Sequence, residues 1–313
     1  MRMEPGTAVA ETTTAGRRAG WRDSDLWYSF SHSPLAIGSA TVGLICVLGA
    51  LGAPWIAPHD PFNVASLSLL DSFKVPLHSW SYPLGTDEQG RDMLSAIMYG
   101  GRVSLAVGAA SVLFAVVLGV AVGLVAGYAG GPVDAVLMRA ADVQLTFPAI
   151  LMALLVDGVV GAIVPRERHE AVQFYVIVFA IGISRWPQFA RTVRGSTLVE
   201  RGKDYVAAAR VIGIGRLRIL FGHILPNVLG PVLVIGTLTL GLAILDEATL
   251  SFLGVGLPPT EPSLGTLIRI GDDFLFSGQW WVTVFPGVAL VLLVLSINLL
   301  GDWLRDALNP RLR

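Results

Sequence analysis

Hydrophobic and polar positions fall in long blocks along this chain. Leu35 to Ala57 runs without a charge, and so do Val103 to Tyr128, Ile224 to Leu245 and Trp280 to Gly301. About 20 apolar residues in a helix cross a hydrocarbon core of roughly 30 Å, so each block predicts a membrane span. Ala135 to Val164 is apolar but carries Arg139, Asp142 and Asp157, and Ala171 to Ser184 is apolar up to Arg185. Both predict further spans, because apolar surface left in water forfeits about 25 cal/mol per Å². The expectation is an all-α membrane protein of six transmembrane helices.

Two finer patterns lie inside the blocks. Gly119, Gly123 and Gly127 recur every fourth residue on one helix face, a small-residue face that lets another helix approach closely. Arg139 and Asp142 stand three apart and predict a local pair at a cytoplasmic edge.

The most informative interruption is Tyr205 to Asn227. Apolar residues fall at Tyr205, Ala208, Ala209 and Ile212, pause at Gly213-Ile214-Gly215, and resume at Leu217, Leu220, Phe221 and Ile224. Each set has the spacing of one helix face, so two short helices joined by a glycine turn are predicted. Arg210, Arg216 and Arg218 would each cost about 3 kcal/mol in the bilayer centre, which keeps this segment out of the core. Pro226 marks the start of the next span, where a missing N–H is tolerated. An amphipathic helix lying on headgroups is the bland alternative.

Composition agrees with the blocks: 53% of residues are hydrophobic and 14% charged, against about 25% charged in soluble domains. The net charge of −1 gives no reason to expect nucleic acid. Cys46, the single cysteine, sits in an apolar run and excludes an intrachain disulfide. Met1 to Gly20 is polar and lacks an apolar core, so it predicts a disordered tail and not a signal peptide.

Lys and Arg set the orientation. With the N-terminus inside, sixteen lie on the cytoplasmic side and six on the other. Residues 1–34 then form a cytoplasmic tail, 35–57 the first span, 58–102 an extracytoplasmic loop, 103–301 a five-span core with a loop at 200–227, and 302–313 a second cytoplasmic tail.

Candidate chemistry is sparse. Lys74 and Lys203 are the only lysines and neither precedes Ser or Thr, so the chain has no Gly-x-x-x-x-Gly-Lys-Ser/Thr phosphate loop. His223 and His169 lack partners at metal-ligand spacing and read as structural. Asp246 and Glu247, in the fifth span, are either pathway or gate contacts or interfacial anchors.

Several motifs together resemble the membrane subunits of ATP-binding-cassette importers. The usual coupling pattern there is Glu-Ala-Ala, three residues, Gly, nine residues, Ile-x-Leu-Pro. Ala208, Ala209, Gly213, Leu225 and Pro226 match it. Ala207 replaces the Glu and His223 the Ile, and His-Ile-Leu-Pro is the form of the peptide-transporter branch. LGTDEQGRD at 84–92, FPAIL at 147–151, LSFLGVGLPP at 250–259 and NLLGDWLRDALNPRLR at the end are similar to the second permease of dipeptide, oligopeptide, glutathione or nickel importers.

The resemblance implies a type I importer fold and a non-catalytic permease subunit in a bacterial inner membrane, both termini cytoplasmic. Tyr205, Ala207, Ala208, Ala209, Gly213, His223, Leu225 and Pro226 would then form the coupling element, and peptides would be the cargo. The implied partners are a homologous permease, two cytoplasmic ATP-binding subunits that use ATP and Mg, and an extracytoplasmic solute-binding protein. No cofactor is expected on this chain. Glutathione or nickel chelates are alternative cargoes, and an ATP-independent secondary transporter is the alternative from another class.

Overall fold

The computed structural model describes residues 25–62, 67–77, 79–258 and 260–308. The tail expected at Met1 to Gly20, Pro259 of the LSFLGVGLPP motif, the His169 side chain and residues 309–313 lie outside that description. Every regular element among the described residues is helical.

Ser33 opens the first apolar helix by accepting from the Ala36 N–H, with Pro34 at the first helical position where its missing N–H is harmless. After α1 (Asp25–Ser31), this α2 covers Pro34–Leu51 and a short α3 follows at Ala53–Ile56. A polar loop leads to α4 (Met93–Ala129). Asp92 caps that helix, accepting from the Ser95 N–H at 3.0 Å and the Ser95 hydroxyl at 2.5 Å. Within the same LGTDEQGRD motif, buried Arg91 donates from Nε to Asp87 at 2.6 Å, so the loop is stapled before the helix starts. The helix therefore begins ten residues before the uncharged run at Val103.

Then come α5 (Gly131–Thr146), α6 (Ala149–Ile163) and α7 (Arg166–Glu200), followed by α8 (Asp204–Val211) and α9 (Arg216–Ile219). A single wide turn, Leu220–Ile224, joins α9 to α10 (Leu225–Phe252). The chain closes with α11 (Leu264–Leu275), capped by Ser263, and α12 (Trp281–Ala307).

Among the described residues, Pro34–Leu51, Met93–Ala129, Arg216–Phe252 and Trp281–Ala307 are long and apolar enough to cross a membrane. The block Ala135 to Val164 is not one straight span. It divides into α5 and α6, bent by 92°, because Phe147 precedes Pro148 and takes an extended conformation. Counted as one span, the bent pair makes a fifth, while α7, which covers the sixth expected crossing, is not among the helices apolar enough to span by that measure.

The bundle is centred on α4 against α7. A Cβ on Gly119 would lie 2.6 Å from the Trp186 carbonyl oxygen, one on Gly123 2.5 Å from that of Ala190, and one on Gly127 2.7 Å from Thr197 Cβ. Phe189, Val193 and Leu124 fill the buried cluster beside that contact. Backbones this close exclude any side chain on the α4 face, which is the physical content of the four-residue glycine repeat.

The Arg139–Asp142 pair expected on α5 does not form. Asp142 instead accepts from Arg191 at 2.5 Å, and Asp134 from Arg194 at 2.5 and 2.7 Å, so α5 is tied across to α7. Both acids lie on the side of α5 turned toward α7, whose arginines are long enough to reach them.

Candidate docking surface and pathway acids

Helix α8 carries Asp204 in its first turn and Arg210 in its last, matching the helix dipole. It stops at Gly213, whose φ of +80° only glycine adopts freely. The Gly213 N–H bonds the Arg210 carbonyl at 3.1 Å and the Ile214 N–H bonds the Ala209 carbonyl at 3.0 Å. This paired closure is the Schellman arrangement, and Ile214 packs back on the core as that motif requires.

The buried faces differ from those read off the sequence. Val206 and Ala209 are the buried residues of α8, while Ile212 is 74% exposed. Beyond the glycine turn, Ile219, Leu220 and Ile224 are buried, whereas Leu217 and Phe221 are 72% and 57% exposed. The wide turn explains the second difference: the Leu225 N–H reaches back five residues to Leu220, so positions five apart share a face there. It lies beside Pro226, which cannot donate to the Gly222 carbonyl and whose ring crowds it. Pro226 stands in the first turn of α10, as expected of a span start, and the helical stretch Arg216–Phe252 continues back from it through the wide turn.

What remains outside is a patch of Ala207, Ala208, Val211, Ile212, Leu217 and Phe221. It is held rigidly from behind. Tyr205 Oη donates to Glu200 at 2.6 Å and accepts from Asn227 Nδ2 at 3.2 Å; Asn227 also donates to the His223 carbonyl at 2.7 Å. Lys203 donates to the other Glu200 oxygen at 2.6 Å. These contacts, Lys203 first, hold the Glu200 carboxyl below its usual range and raise Lys203. Burial, then the Glu200 contact, raises the Tyr205 phenol. His223 Nδ1 stands 3.3 Å from the Arg218 carbonyl, and Leu225 is half-buried.

Beside the patch lies a cleft of about 890 Å³ lined by Arg201, Arg210, Arg216 and Tyr128. Arg201 donates to the Gly127 carbonyl at 2.7 Å, closing the C-terminus of α4, and the Arg210 guanidinium sits 5.6 Å above the Tyr128 ring. The α8–α9 segment is thus joined to α4, α7 and α10 together. Glu200, Lys203, Asn227 and Arg201 were not singled out from sequence. The i, i+3 spacing of Glu200 and Lys203 was a usable signal; the reach of Arg201 across 74 positions had none.

Asp246 and Glu247 are adjacent in α10 yet face different neighbours. Asp246 accepts from Arg185 of α7, Nε at 3.0 Å and Nη2 at 2.5 Å. Glu247 is fully buried and accepts from Ser104 of α4 and Ser251, each at 2.7 Å; Ser104 Oγ in turn accepts the Leu264 N–H at 3.2 Å. One acid ties α10 to α7, and the other ties it to α4 and the start of α11.

Comparison with known proteins gives a consistent set. Residues 119–313 match the family described as binding-protein-dependent transport system inner membrane component, and residues 21–71 match the N-terminal TM domain of oligopeptide transport permease C. The chain is 38% identical over 295 residues to the di/tripeptide transport system permease DppC of Pseudomonas aeruginosa, covering 92% of each. It is also 38% identical to the dipeptide permease DppC of Escherichia coli, over 92% of this chain and 93% of that one. The glutathione transport permease GsiD of Pectobacterium atrosepticum is 36% identical, over 95% and 93%. Among solved structures, an inward-facing MetNI methionine ABC transporter chain aligns with a TM-score of 0.51 at 21% identity, covering 66% of this chain and 93% of that one. That likeness concerns the fold.

Proposed function

Because this chain belongs to the family of binding-protein-dependent transport system inner membrane components, we propose that it is one permease half of an ATP-driven importer of di- or oligopeptides. The observation that carries the coupling role is the rigidly backed apolar patch at the end of α8 and α9. An unpartnered patch of small and apolar side chains, braced by the Glu200–Tyr205–Asn227 hydrogen bonds, suits a cleft on a separate ATP-hydrolysing subunit. Ala207 and Ala208 keep the surface shallow enough to be gripped, and Gly213 sets the angle between the two helices.

Movement of the ATPase reaches the membrane through α9, the wide turn and α10, which are one helical stretch. A rigid lever of this kind moves the bundle between two packings and not continuously. The second permease half would close the pathway, two ATP-binding subunits would sit below, and an extracytoplasmic solute-binding protein would deliver cargo. Both termini then face the cytoplasm. Asp246 and Glu247 act as struts that keep α10 in register with α7 and α4 while it tilts. Peptide cargo rests on the two DppC relatives; the GsiD relative makes glutathione, itself a modified tripeptide, the second reading.

The test is co-purification of the ATP-binding subunits with this chain. Ala208→Trp fills the shallow surface from outside and is expected to reduce recovery of those subunits about tenfold or more, as when an interface anchor is lost. Undiminished recovery with Trp at 208 would contradict docking at this patch.

A further inference from the structure

The end of the bundle opposite α8 carries a cavity of about 420 Å³ where the start of α4, the start of α7 and the loop after α10 meet. Phe62, Tyr99, Phe174 and Leu257 supply its apolar wall, and Arg102 and Glu261 line it too. The wall is built and not incidental. Asp60 accepts the Phe62 N–H at 3.0 Å and turns that ring inward, where it meets Tyr99 edge-on at 5.2 Å. Among the described residues neither Arg102 nor Glu261 has an ion-pair partner, and they do not pair with each other.

Two of the other grooves carry no charge. The groove between α6 and α7 is lined by Leu155, Val159, Val172 and Phe179 without a charge, and the one between α2 and α4 by Ile45, Cys46 and Leu94 likewise. Those suit acyl chains or an apolar helix. One cation and one anion on a cavity of aromatic wall instead suit a small molecule carrying both charges, and the volume falls in the usual small-ligand range. We propose that this cavity is a subsite for a short zwitterionic peptide entering the pathway, Arg102 facing its carboxylate and Glu261 its ammonium. The inference rests on the peptide-import reading. It adds that the permease itself, and not only the receptor, contacts the peptide termini. A guanidinium offers a carboxylate two parallel N–H donors, which gives the subsite a defined polarity.

The lone cysteine makes the site measurable. In a Cys46→Ser chain, Thr260→Cys places a thiol on the rim of the cavity, and the full complex is assembled without the receptor. An impermeant maleimide is then applied with and without millimolar dialanine. The expected result is labelling slowed about fivefold at a peptide concentration several times Kd. Dialanine acetylated and amidated at its ends gives no protection, and Arg102→Ala or Glu261→Gln removes the protection given by dialanine. Equal labelling with and without dialanine overturns the subsite, as does equal protection by the blocked peptide. A thiol unreactive even without peptide also overturns it, since the partner permease then covers the cavity. Uptake of the same peptide by the complete importer is measured in parallel: absent uptake counts against peptide import, whereas normal uptake with an unprotected thiol counts against the subsite alone.

Discussion

Glu247 has no exposed surface, yet each of its oxygens accepts a serine hydroxyl at 2.7 Å, from Ser104 on one side and Ser251 on the other. Glu247→Leu would leave two buried hydroxyls without their acceptor, at about 1–3 kcal/mol for each group stranded. A clear fall in melting temperature of the detergent-solubilised complex is expected, and a smaller one for Glu247→Gln, which keeps an acceptor. Glu200 provides the acid-sensitive contact. Its folded pKa is depressed by Lys203 and Tyr205, so its stabilisation is present above the unfolded value of about 4.3 and lost as pH falls through the lower folded value. Melting followed from pH 6 down to pH 3 should show an acid limb that Glu200→Gln flattens. The sequence pointed to Asp246 and Glu247 because acids are rare in spans. Their partners, Arg185 and Ser104, lie 61 and 143 positions away, and no local pattern connects them.

The glycine face of α4 was legible for the opposite reason: its spacing is local, and only close helix approach explains it. Gly123→Leu drives a side chain into the Ala190 carbonyl of α7, and overpacking at such a contact costs about 1–3 kcal/mol or more. Poor assembly on size exclusion is expected, while Gly158→Leu, with open space at its Cβ position, assembles normally. The apolar blocks also revealed where spans lie. They did not reveal the 92° bend, although Phe147-Pro148 carried that signal; an apolar run reads the same on both sides of a kink. The face beyond Gly213 was read only in part, because periodicity assumes 3.6 residues per turn and the turn at Leu220–Ile224 is wider. Gly213→Val tests the hinge between them. At φ +80° a β-branched residue is strained by about 1–2 kcal/mol, so the angle of the patch shifts. Peptide uptake is expected to fall much more than ATP hydrolysis does.

On the proposed function, the molecule separates its tasks along its length. The patch and its arginine-lined cleft lie at one end, the cavity lined by Arg102 and Glu261 at the other, and α4, α7 and α10 run between them with cross-ties at Arg185–Asp246, Ser104–Glu247 and Arg201–Gly127. At about 1.5 Å per residue, α10 alone spans roughly 42 Å, enough to carry a displacement across the bilayer. Composition and block pattern made the membrane class plain from the start. The motifs identified the family, and side-chain geometry added how the exposed patch of α8 and α9 is braced. The chain has no Gly-x-x-x-x-Gly-Lys-Ser/Thr phosphate loop of its own, so on the proposed function ATP hydrolysis takes place in a partner. The direct measurement is uptake of a labelled dipeptide into proteoliposomes containing this chain, its permease partner, the ATP-binding subunits and the receptor. Uptake should require ATP and stop when the ATP-binding subunits are made hydrolysis-deficient. Uptake that continues with that deficient pair and follows an imposed proton gradient would contradict the account.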